Sequence, residues 1–254
     1  MQAKVVLITG ASSGIGRATA LACAARGMRV ALAGRRADVL EVIAYEVTER
    51  GGTPLVCPGD LRSTEHVQSM TEAVLATFGR IDVLITSAGR GSVTPLHELT
   101  DDEIDDVIGT NLSATVRCAR AVAPAMIAAG QGHIITLSSV VTGLMFPRDA
   151  LYAATKAGVL RFTMGIAAEL RPYGIRVSAV LPGIVDTPLN VGLTQLPKAD
   201  VRVVAADIVG LIDRPRVLLV TPGWYRVALA LNRAVPGIVD AYIARRLAES
   251  SQPA

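Results

Sequence analysis

Residues 4–17 read KVVLITGASSGIGR, and this stretch is the most informative about the fold because an apolar strand leads directly into a glycine-rich turn and a helix. Residues 5–8 are apolar on both faces, which is typical of a strand in a parallel sheet covered by helices on both sides. Gly10, Gly14 and Gly16 follow in G-x-x-x-G-x-G spacing. Such glycines permit a tight turn, and the helix that starts there offers backbone amides and the positive end of its dipole to phosphate groups. The stretch therefore predicts a dinucleotide-binding strand–turn–helix unit.

The remainder of the chain repeats this alternation of strands and helices. Short Val/Ile/Leu runs predict strands at residues 5–8, 30–33, 55–57, 83–86, 134–137, 175–180 and 217–220. Helical patterns lie at about 14–26, 38–50, 64–78, 101–129, 151–171 and 205–213, and the fourth is interrupted near 109–111. The alternation predicts an α/β fold, a doubly wound parallel sheet of Rossmann type with helices on both faces and strand order 3-2-1-4-5-6-7. Since no shift in composition marks a boundary, residues 1–254 are predicted to form a single domain.

Composition excludes several classes of protein. Half of the 254 residues are apolar, 19% are charged, and the net charge is +3 without a Lys/Arg-rich run, so nucleic acid is not expected as a partner. Cys23, Cys57 and Cys118 are scattered and form no C-x-x-C pair, which indicates reduced thiols in a cytoplasmic protein and no metal site. No signal-peptide pattern opens the chain, and no uninterrupted apolar run reaches 18 residues, so no membrane span is expected.

The second strand indicates which dinucleotide is bound. An NAD site usually places an acidic residue at the end of this strand to bind the ribose 2′-hydroxyl. Here the strand ends in Arg35 and Arg36, and the first acidic residue is Asp38. Arginine binds phosphate with a planar fork of donors, so the pair favours the 2′-phosphate of NADP, and NAD is the less favoured cofactor. Arg17 is a further candidate for this pocket. The alternative is that both arginines merely open a solvated helix.

Residues 139–156 carry the chemistry. Tyr152 and Lys156 lie four residues apart on a predicted helix and therefore share one face, and Ser139 follows the end of a buried strand. A hydroxyl, a phenol and a cation are the groups that a site needs to polarise a carbonyl and give it a proton. The alternative is an exposed tyrosine and lysine on an amphipathic helix.

Taken together, the motifs resemble the short-chain dehydrogenase/reductase family over nearly the whole chain. The matching positions, in order, are Thr9-Gly10-x3-Gly14-Ile15-Gly16, Asp60, Ala88-Gly89, Asn111, Ser139, Tyr152-x3-Lys156 and Pro182-Gly183-x3-Thr187. The resemblance implies cofactor contacts from Gly10, Ser12, Ser13, Gly14, Ile15, Gly16, Arg35, Arg36, Asp60, Leu61, Ala88, Gly89, Tyr152, Lys156, Pro182, Gly183, Val185 and Thr187. One departure is that Thr86-Ser87 stands where the family often has two asparagines.

The resemblance also implies a catalytic set of Asn111, Ser139, Tyr152 and Lys156. Tyr152 would be the general acid in reduction and the general base in oxidation, and Lys156 would hold the nicotinamide ribose. The positive charges of Lys156 and the nicotinamide would favour the phenolate. Ser139 would hydrogen-bond the carbonyl oxygen, and Asn111 would support a water chain leading to Lys156. These roles imply an NADP-dependent oxidoreductase that interconverts a carbonyl and an alcohol. The alternative is an NADP-binding sensor or scaffold without turnover.

The segments at 141–151 and about 184–204 are candidates for contact with the substrate. Their apolar residues favour a hydrophobic ketone or aldehyde, such as a steroid- or retinoid-like molecule or a 3-oxoacyl thioester; the same residues could equally be loop packing. They are Leu144, Met145, Phe146, Leu189, Val191 and Leu193.

The C-terminal extension, about 222–254, contains helical patterns at 226–231 and 238–247. We expect them to pack on the domain or to contact another subunit rather than a membrane surface, because basic residues are few. The family resemblance implies a homo-oligomer, a dimer or a tetramer.

Overall fold

The computed structural model describes residues 3–191, 196–235 and 237–248. Its centre is one parallel sheet of seven strands in the order β3-β2-β1-β4-β5-β6-β7, which confirms the predicted fold class. The strands are β1 Val5–Thr9, β2 Arg29–Gly34, β3 Thr53–Pro58, β4 Val83–Thr86, β5 Gly132–Leu137, β6 Ile175–Pro182 and β7 Leu218–Thr221. The helices are α1 Gly14–Ala24, α2 Ala37–Glu49, α3 Thr64–Phe78, α4 Asp101–Ile108, α5 Ala114–Ala129, α6 Ala150–Leu170, α7 Val201–Asp213, α8 Tyr225–Ala234 and α9 Ile238–Ala248.

The sheet is buried on both faces because successive strand residues point to opposite sides. In β1, Val6 and Ile8 pack with α1, α2 and α7, whereas Val5 and Leu7 pack on the other side with α3, α5 and α6. All four side chains are fully buried. A strand that is apolar on both faces thus corresponds to two helix layers, as its sequence indicates.

The break predicted near 109–111 is a π-helical turn, Gly109–Ser113, between α4 and α5. The helical stretch Asp101–Ala129 that contains it is long and apolar enough to cross a membrane. Its Cys118, Val122 and Met126 are nevertheless buried against the sheet, and it connects the neighbouring parallel strands β4 and β5. It is therefore a core helix of this fold.

One helix boundary differs from its prediction by four residues. Helix α7 begins at Val201 rather than at about 205. Asp200 is its N-cap residue, since its carboxylate accepts a hydrogen bond of 2.8 Å from the Arg202 amide. This capping bond extends the helix beyond the apolar pattern on which the prediction rested.

The strand register brings the carboxyl ends of the central strands together. Thr9 of β1 is level with Thr86 of β4, which is level with Thr136 of β5. The strand order reverses between β1 and β4, where the connecting helices leave toward opposite faces of the sheet. Loops from both halves of the fold therefore meet above this point.

Candidate active site

A cavity of about 810 Å³ lies above the carboxyl ends of these strands. Every predicted site residue except Gly16 and Asn111 lines it, so the topology brings together residues from several loops and from helices α1 and α6. The lining includes Gly10, Ser12, Ser13, Gly14, Ile15, Arg35, Arg36, Asp60, Leu61, Ala88, Gly89, Ser139, Tyr152, Lys156, Pro182, Gly183, Val185 and Thr187.

The glycine-rich turn is packed too closely for side chains. Gly10 has a φ of +66°, and a Cβ there would lie 2.7 Å from the Cα of Ala88. A Cβ on Gly16 would lie 2.3 Å from the carbonyl oxygen of Gly10. Gly16 thus shapes the loop from behind rather than lining the cavity. Helix α1 starts at Gly14, so the free amides of its first turn are at the cavity edge.

The two arginines that follow β2 lie at the cavity, but Arg17 does not line it. Arg36 donates hydrogen bonds of 3.0 Å to both the carbonyl oxygen and the hydroxyl of Ser12. Arg17 instead donates to both carboxylate oxygens of Glu46, at 2.8 and 2.7 Å. The expectation that Arg17 adds to the phosphate pocket is therefore not met, because the guanidinium is held against α2.

Asp60, predicted to contact the cofactor, lines the same cavity. Its carboxylate accepts hydrogen bonds from the Arg62 side chain at 2.9 and 2.7 Å. The Arg62 hydrogen bond lowers the pKa of Asp60 from its ordinary value. The carboxylate is therefore ionised at neutral pH and already has a cationic partner.

Tyr152 and Lys156 project from the first two turns of α6. The Lys156 ammonium lies 5.6 Å from the centre of the Tyr152 ring and donates a 2.9 Å hydrogen bond to the carbonyl oxygen of Leu137. Ser138 uses its hydroxyl to bond the Lys156 carbonyl oxygen at 2.8 Å. Ser139 instead has its hydroxyl at Tyr152. The two neighbouring serines thus have different surroundings, and Ser139 is the one beside the phenol.

The electrostatics of these groups follow from burial. Burial raises the pKa of Tyr152, the charge of Asp149 raises it further, and the hydrogen bond with Ser139 acts in the opposite direction. Burial lowers the pKa of Lys156 to about 8. Both shifts favour the neutral form, as desolvation does for any ionisable group. Burial in this protein environment therefore favours the protonated phenol of Tyr152, whereas the expectation that Lys156 and the nicotinamide together favour the phenolate concerns the cofactor-bound site and stays a prediction.

Asn111 lies within the π-helical turn and is fully buried. Its amide nitrogen donates to the carbonyl oxygen of Arg90 at 2.9 Å and to the hydroxyl of Thr155 at 3.0 Å, and its side-chain oxygen accepts from the Arg90 amide at 2.7 Å. The side chain therefore clamps the segment after β4 to helix α6. A Cβ on Gly89 would be 3.5 Å from both Asn111 Oδ1 and Lys156 Nζ, so both groups approach the same glycine.

The far end of the cavity is formed by the segment after β6. A Cβ on Gly14 would lie 3.2 Å from a methyl group of Thr187, so this segment closes on the glycine turn. The Tyr225 hydroxyl accepts a 2.9 Å hydrogen bond from the Ile184 amide. The Tyr225 ring also lies so close to Gly183 that a Cβ there would be 1.7 Å from it. Helix α8 thereby fixes the backbone at 183–184.

Sequence reasoning missed two residues of this site, Asp149 and Tyr225. Asp149 lies three residues before Tyr152, one helical turn away, and it lines the cavity. It follows Arg148, whose φ is +66°. Burial raises the pKa of Asp149 to about 7. The three-residue spacing was visible in the sequence and could have identified Asp149, whereas Tyr225 lies 41 residues from Ile184 and gave no such signal.

The apolar residues proposed to face the substrate separate into groups. Phe146 and Leu189 line the cavity, whereas Leu144 is buried in a cluster beside it. Met145 and Val191 are exposed, and Leu193 lies outside the described residues. Phe146 and Leu189 are therefore placed for substrate contact, whereas Leu144 serves loop packing.

The departure at 86–87 has a local consequence. The Thr86 hydroxyl is buried and has no hydrogen-bond partner among the described residues. Ser87 lines the cavity. The following amide, of Ala88, donates to the Thr9 hydroxyl at 3.2 Å, so a β1 side chain supports this segment.

Comparisons with known proteins agree on one family. A family model described as "short chain dehydrogenase" matches residues 4–197. A 3-oxoacyl-[acyl-carrier-protein] reductase of Synechocystis sp. is 35% identical over 198 residues, which cover 78% of this chain and 80% of that protein. A metagenomic short-chain oxidoreductase solved in complex with NADP has a TM-score of 0.76 and 34% identity, covering 86% of this chain and 96% of that one. A variant of actinorhodin polyketide ketoreductase, solved with NADPH, has a TM-score of 0.79 and 28% identity, covering 87% and 96%. The chain therefore belongs to the short-chain dehydrogenase/reductase family of oxidoreductases.

Proposed function

We propose that this enzyme uses NADP to interconvert a carbonyl and an alcohol on a hydrophobic substrate, with Tyr152 as the acid/base. The observation that supports this most strongly is the geometry of α6. A phenol, an ammonium 5.6 Å from its ring and the hydroxyl of Ser139 border one cavity, and the same cavity is edged by the glycine-rich turn.

The cavity fits a dinucleotide. Gly10 and Gly16 have no side chains that would fill the turn, so a pyrophosphate can approach the backbone amides at the start of α1. Arg35 and Arg36 border the end where a 2′-phosphate would lie, and no acidic residue precedes them at the end of β2. Two structural neighbours are complexes with NADP or NADPH, which also favours NADP over NAD for this chain.

The proposed chemistry is a proton transfer from Tyr152 coupled to reduction. NADPH, when bound, supplies the hydride that reaches the carbonyl carbon. The Tyr152 phenol gives its proton to the carbonyl oxygen, and Ser139 donates a hydrogen bond to that oxygen as negative charge develops on it. Burial raises the pKa of Tyr152 and so keeps the phenol protonated, which is the form that donates a proton in reduction. The Lys156 ammonium stabilises the phenolate that remains after the transfer.

The substrate class follows from the remainder of the lining. Phe146, Leu189, Val93, Val141 and Ile184 give the open end of the cavity an apolar wall. Such a wall suits an aliphatic or ring ketone, a steroid- or retinoid-like carbonyl, or the acyl chain of a 3-oxoacyl thioester. The relative named 3-oxoacyl-[acyl-carrier-protein] reductase supports the last of these.

We also infer a homo-oligomer that works in the cytoplasm with its thiols reduced. Cys23, Cys57 and Cys118 are free and buried, which is consistent with a reducing compartment.

Parallel titrations with NADPH and NADH, followed by a panel of ketones with the preferred cofactor, test this function. The proposal expects NADPH to bind at least tenfold more tightly and at least one hydrophobic ketone or 3-oxoacyl thioester to be reduced. If NADH binds as tightly as NADPH, the assignment of Arg35 and Arg36 is wrong. If the panel is not turned over although NADPH binds, the non-catalytic alternative gains support.

A further inference from the structure

Asp149 places a carboxyl group beside the Tyr152 phenol. It is the residue before helix α6 and lies three positions before Tyr152, and side chains three apart on a helix have their Cβ atoms about 5–6 Å from each other. The charge of Asp149 acts on the phenol, since it raises the pKa of Tyr152. Both side chains line the same cavity. A substrate whose carbonyl oxygen meets Tyr152 therefore also comes close to the Asp149 carboxyl.

Asp149 has no hydrogen-bond or ion-pair partner in the part of the chain that the structure describes. Its side chain does not cap α6, and no ion pair joins it to the preceding Arg148 or to Lys156. Burial raises its pKa from 3.8 to about 7, because the group is desolvated and no hydrogen bond compensates. A partly buried carboxyl without a partner is costly in a folded protein. Such a group in a cleft is therefore a candidate for contact with a ligand.

The loop that carries Asp149, residues 138–149, is held by the two C-terminal helices. The carboxylate of Asp240 in α9 accepts a 2.7 Å hydrogen bond from the Met145 amide. Asn232 of α8 donates one hydrogen bond of 3.1 Å to the carbonyl oxygen of Gly143 and another of 3.1 Å to Asp240. Apolar residues of both helices are also buried in one cluster with this loop. Asp149 is thus carried by a loop that is fixed at two neighbouring positions.

Few other charges face Asp149. Among the described residues, the segments after β4 and β6 and helix α9 contribute only uncharged residues to the cavity lining. The charged groups near Asp149 are Arg148 on the same loop and Lys156 on α6, which is bonded to the carbonyl oxygen of Leu137. The other charged lining residues follow β2 and β3, which lie three and four strand spacings from β5, about 14 Å and about 19 Å away. They are Arg35, Arg36, Asp60 and Arg62.

A carboxyl in this position discriminates between substituents next to the reacting carbonyl. A hydroxyl or ammonium group can donate a hydrogen bond to it, and hydrogen bonds to charged acceptors are stronger than those between neutral groups. An apolar substituent leaves the carboxyl unpaired, and a site built around a polar group rejects substrates that lack its partner. A carboxylate substituent is repelled, because like charges interact strongly where water is excluded.

We propose that Asp149 determines substrate specificity by selecting hydrophobic ketones or aldehydes that carry a hydroxyl or amino group next to the carbonyl, and by excluding anionic ones. The inference rests on the proposed carbonyl reduction and narrows its substrate class. It favours a hydroxylated ring or chain ketone over a 3-oxoacyl thioester, which has no hydrogen-bond donor on the carbon atoms next to its reacting carbonyl.

Three phenyl ketones of similar size test the selection. Next to the carbonyl, phenacyl alcohol carries a hydroxyl, propiophenone a methyl group and phenylglyoxylate a carboxylate. We measure kcat/KM with NADPH and express each value relative to propiophenone, which cancels effects common to all ketones. In Asp149→Leu, which replaces the carboxyl by an apolar group, the relative value for phenacyl alcohol should fall at least tenfold. In both Asp149→Leu and Asp149→Asn, the relative value for phenylglyoxylate should rise at least tenfold at pH 8.

The wild type should exclude the anionic ketone less strongly at low pH. With a pKa of about 7, the Asp149 carboxyl is mainly ionised at pH 8 and mainly neutral at pH 6. Between pH 8 and pH 6 the relative value for phenylglyoxylate should therefore rise at least threefold in the wild type and stay level in Asp149→Asn. A purely structural role of Asp149 would not produce this difference. Asp213→Asn is the matched control, since this carboxylate is paired with Arg26 at the end of α7, and its ratios should equal those of the wild type.

Binding without turnover separates this proposal from the reaction itself. Calorimetry gives the Kd of the enzyme–NADPH complex for the two alcohols that reduction of phenacyl alcohol and propiophenone would form, and NADPH binding by each variant shows that it is folded. The first alcohol should bind the wild type at least tenfold more tightly than the second, and Asp149→Leu should lose this preference. If that pattern is found while no ketone is reduced, the proposed reduction is wrong and the selection by Asp149 stands.

Two results would overturn the selection. If ketones are reduced but the ratios are unchanged in both Asp149 variants, the role of Asp149 is wrong and the reduction stands. If neither alcohol binds and no ketone is reduced, both the selection and the reduction are wrong.

Discussion

The Lys156 ammonium lies 5.6 Å from the centre of the Tyr152 ring, and it is held there by a 2.9 Å hydrogen bond to the carbonyl oxygen of Leu137. Leu137 is the last residue of β5, and Tyr152 and Lys156 belong to α6. The distance between phenol and cation is thus set by how α6 packs on the end of one strand. The Ser138 hydroxyl also donates a hydrogen bond to the Lys156 carbonyl oxygen, which further fixes α6 against the end of β5.

Arg35→Ala should change the choice of cofactor. If Arg35 binds the 2′-phosphate as proposed, its removal takes away charge-assisted hydrogen bonds, so the Kd for NADPH should rise by about tenfold or more and the Kd for NADH by less than about twofold. Fluorescence titration measures both constants. Arg17→Ala is the matched control, since this arginine is bonded to Glu46, and it should leave the ratio unchanged. An equal loss for the two cofactors would contradict the assignment.

Gly16→Ala and Gly210→Ala should have opposite effects. A Cβ on Gly16 would be 2.3 Å from the Gly10 carbonyl oxygen, so the turn must move, at a cost of about 1–3 kcal/mol in the free energy of unfolding. Gly210 lies in α7 with nothing within 4 Å of its added Cβ, and alanine there should stabilise the protein by about 0.5–1 kcal/mol. Urea unfolding measures both. NADPH binding should weaken in Gly16→Ala only; equal behaviour of the two variants would refute the role given to the turn.

The sheet could be predicted from the sequence because its information is local. Residues 5–8 are apolar on both faces, a pattern typical of a strand between two helix layers. The break near 109–111 was visible as a polar, glycine-containing interruption of an apolar helical pattern. The order of the motifs along the chain indicated the family, and the family's fold indicated the order of the strands.

Other features of the site could not be predicted because they depend on distant contacts or on backbone conformation. The Tyr225 hydroxyl reaches an amide 41 residues away, and no periodicity encodes that contact. The position of Asp149 depends on the left-handed φ of Arg148. Arg17 was assigned to the cofactor from its position beside the turn, but the competing carboxylate of Glu46 comes from another helix.

Asp149→Asn should stabilise the protein at alkaline pH. Burial raises the pKa of Asp149 from 3.8 to about 7, so the folded state binds a proton more tightly than the unfolded state does. Wild-type stability should therefore fall as pH rises from about 4 to about 7, and the loss should be complete above that window. The variant lacks this loss and should gain on the order of 1 kcal/mol at pH 8, with no gain at pH 4, because partial solvent exposure reduces the full shift. Urea unfolding of both proteins at pH 4 and pH 8 measures this gain in stability. An equal gain at the two pH values would contradict the raised pKa of Asp149.

Tyr225→Phe should lower both stability and NADPH affinity, although Tyr225 itself does not line the cavity. It removes the acceptor of the Ile184 amide, and a buried amide without a partner costs about 1–3 kcal/mol. The unfolding midpoint in urea should fall, and the Kd for NADPH should rise a few-fold because Gly183 is packed against the same ring. Tyr45→Phe, on an exposed tyrosine of α2, is the control and should change neither quantity. A variant that unfolds and binds NADPH as the wild type does would show that α8 does not hold this segment.

The Tyr152→Phe variant, with NADPH affinity and turnover measured on the same preparation, tests whether Tyr152 is the proton donor. Phenylalanine keeps the ring beside Lys156 and removes only the proton donor. We expect a Kd for NADPH within about twofold of the wild type and a loss of about 10²–10⁴-fold in turnover of a reducible ketone. A variant that binds NADPH normally and still reduces the ketone at a rate close to that of the wild type would contradict it.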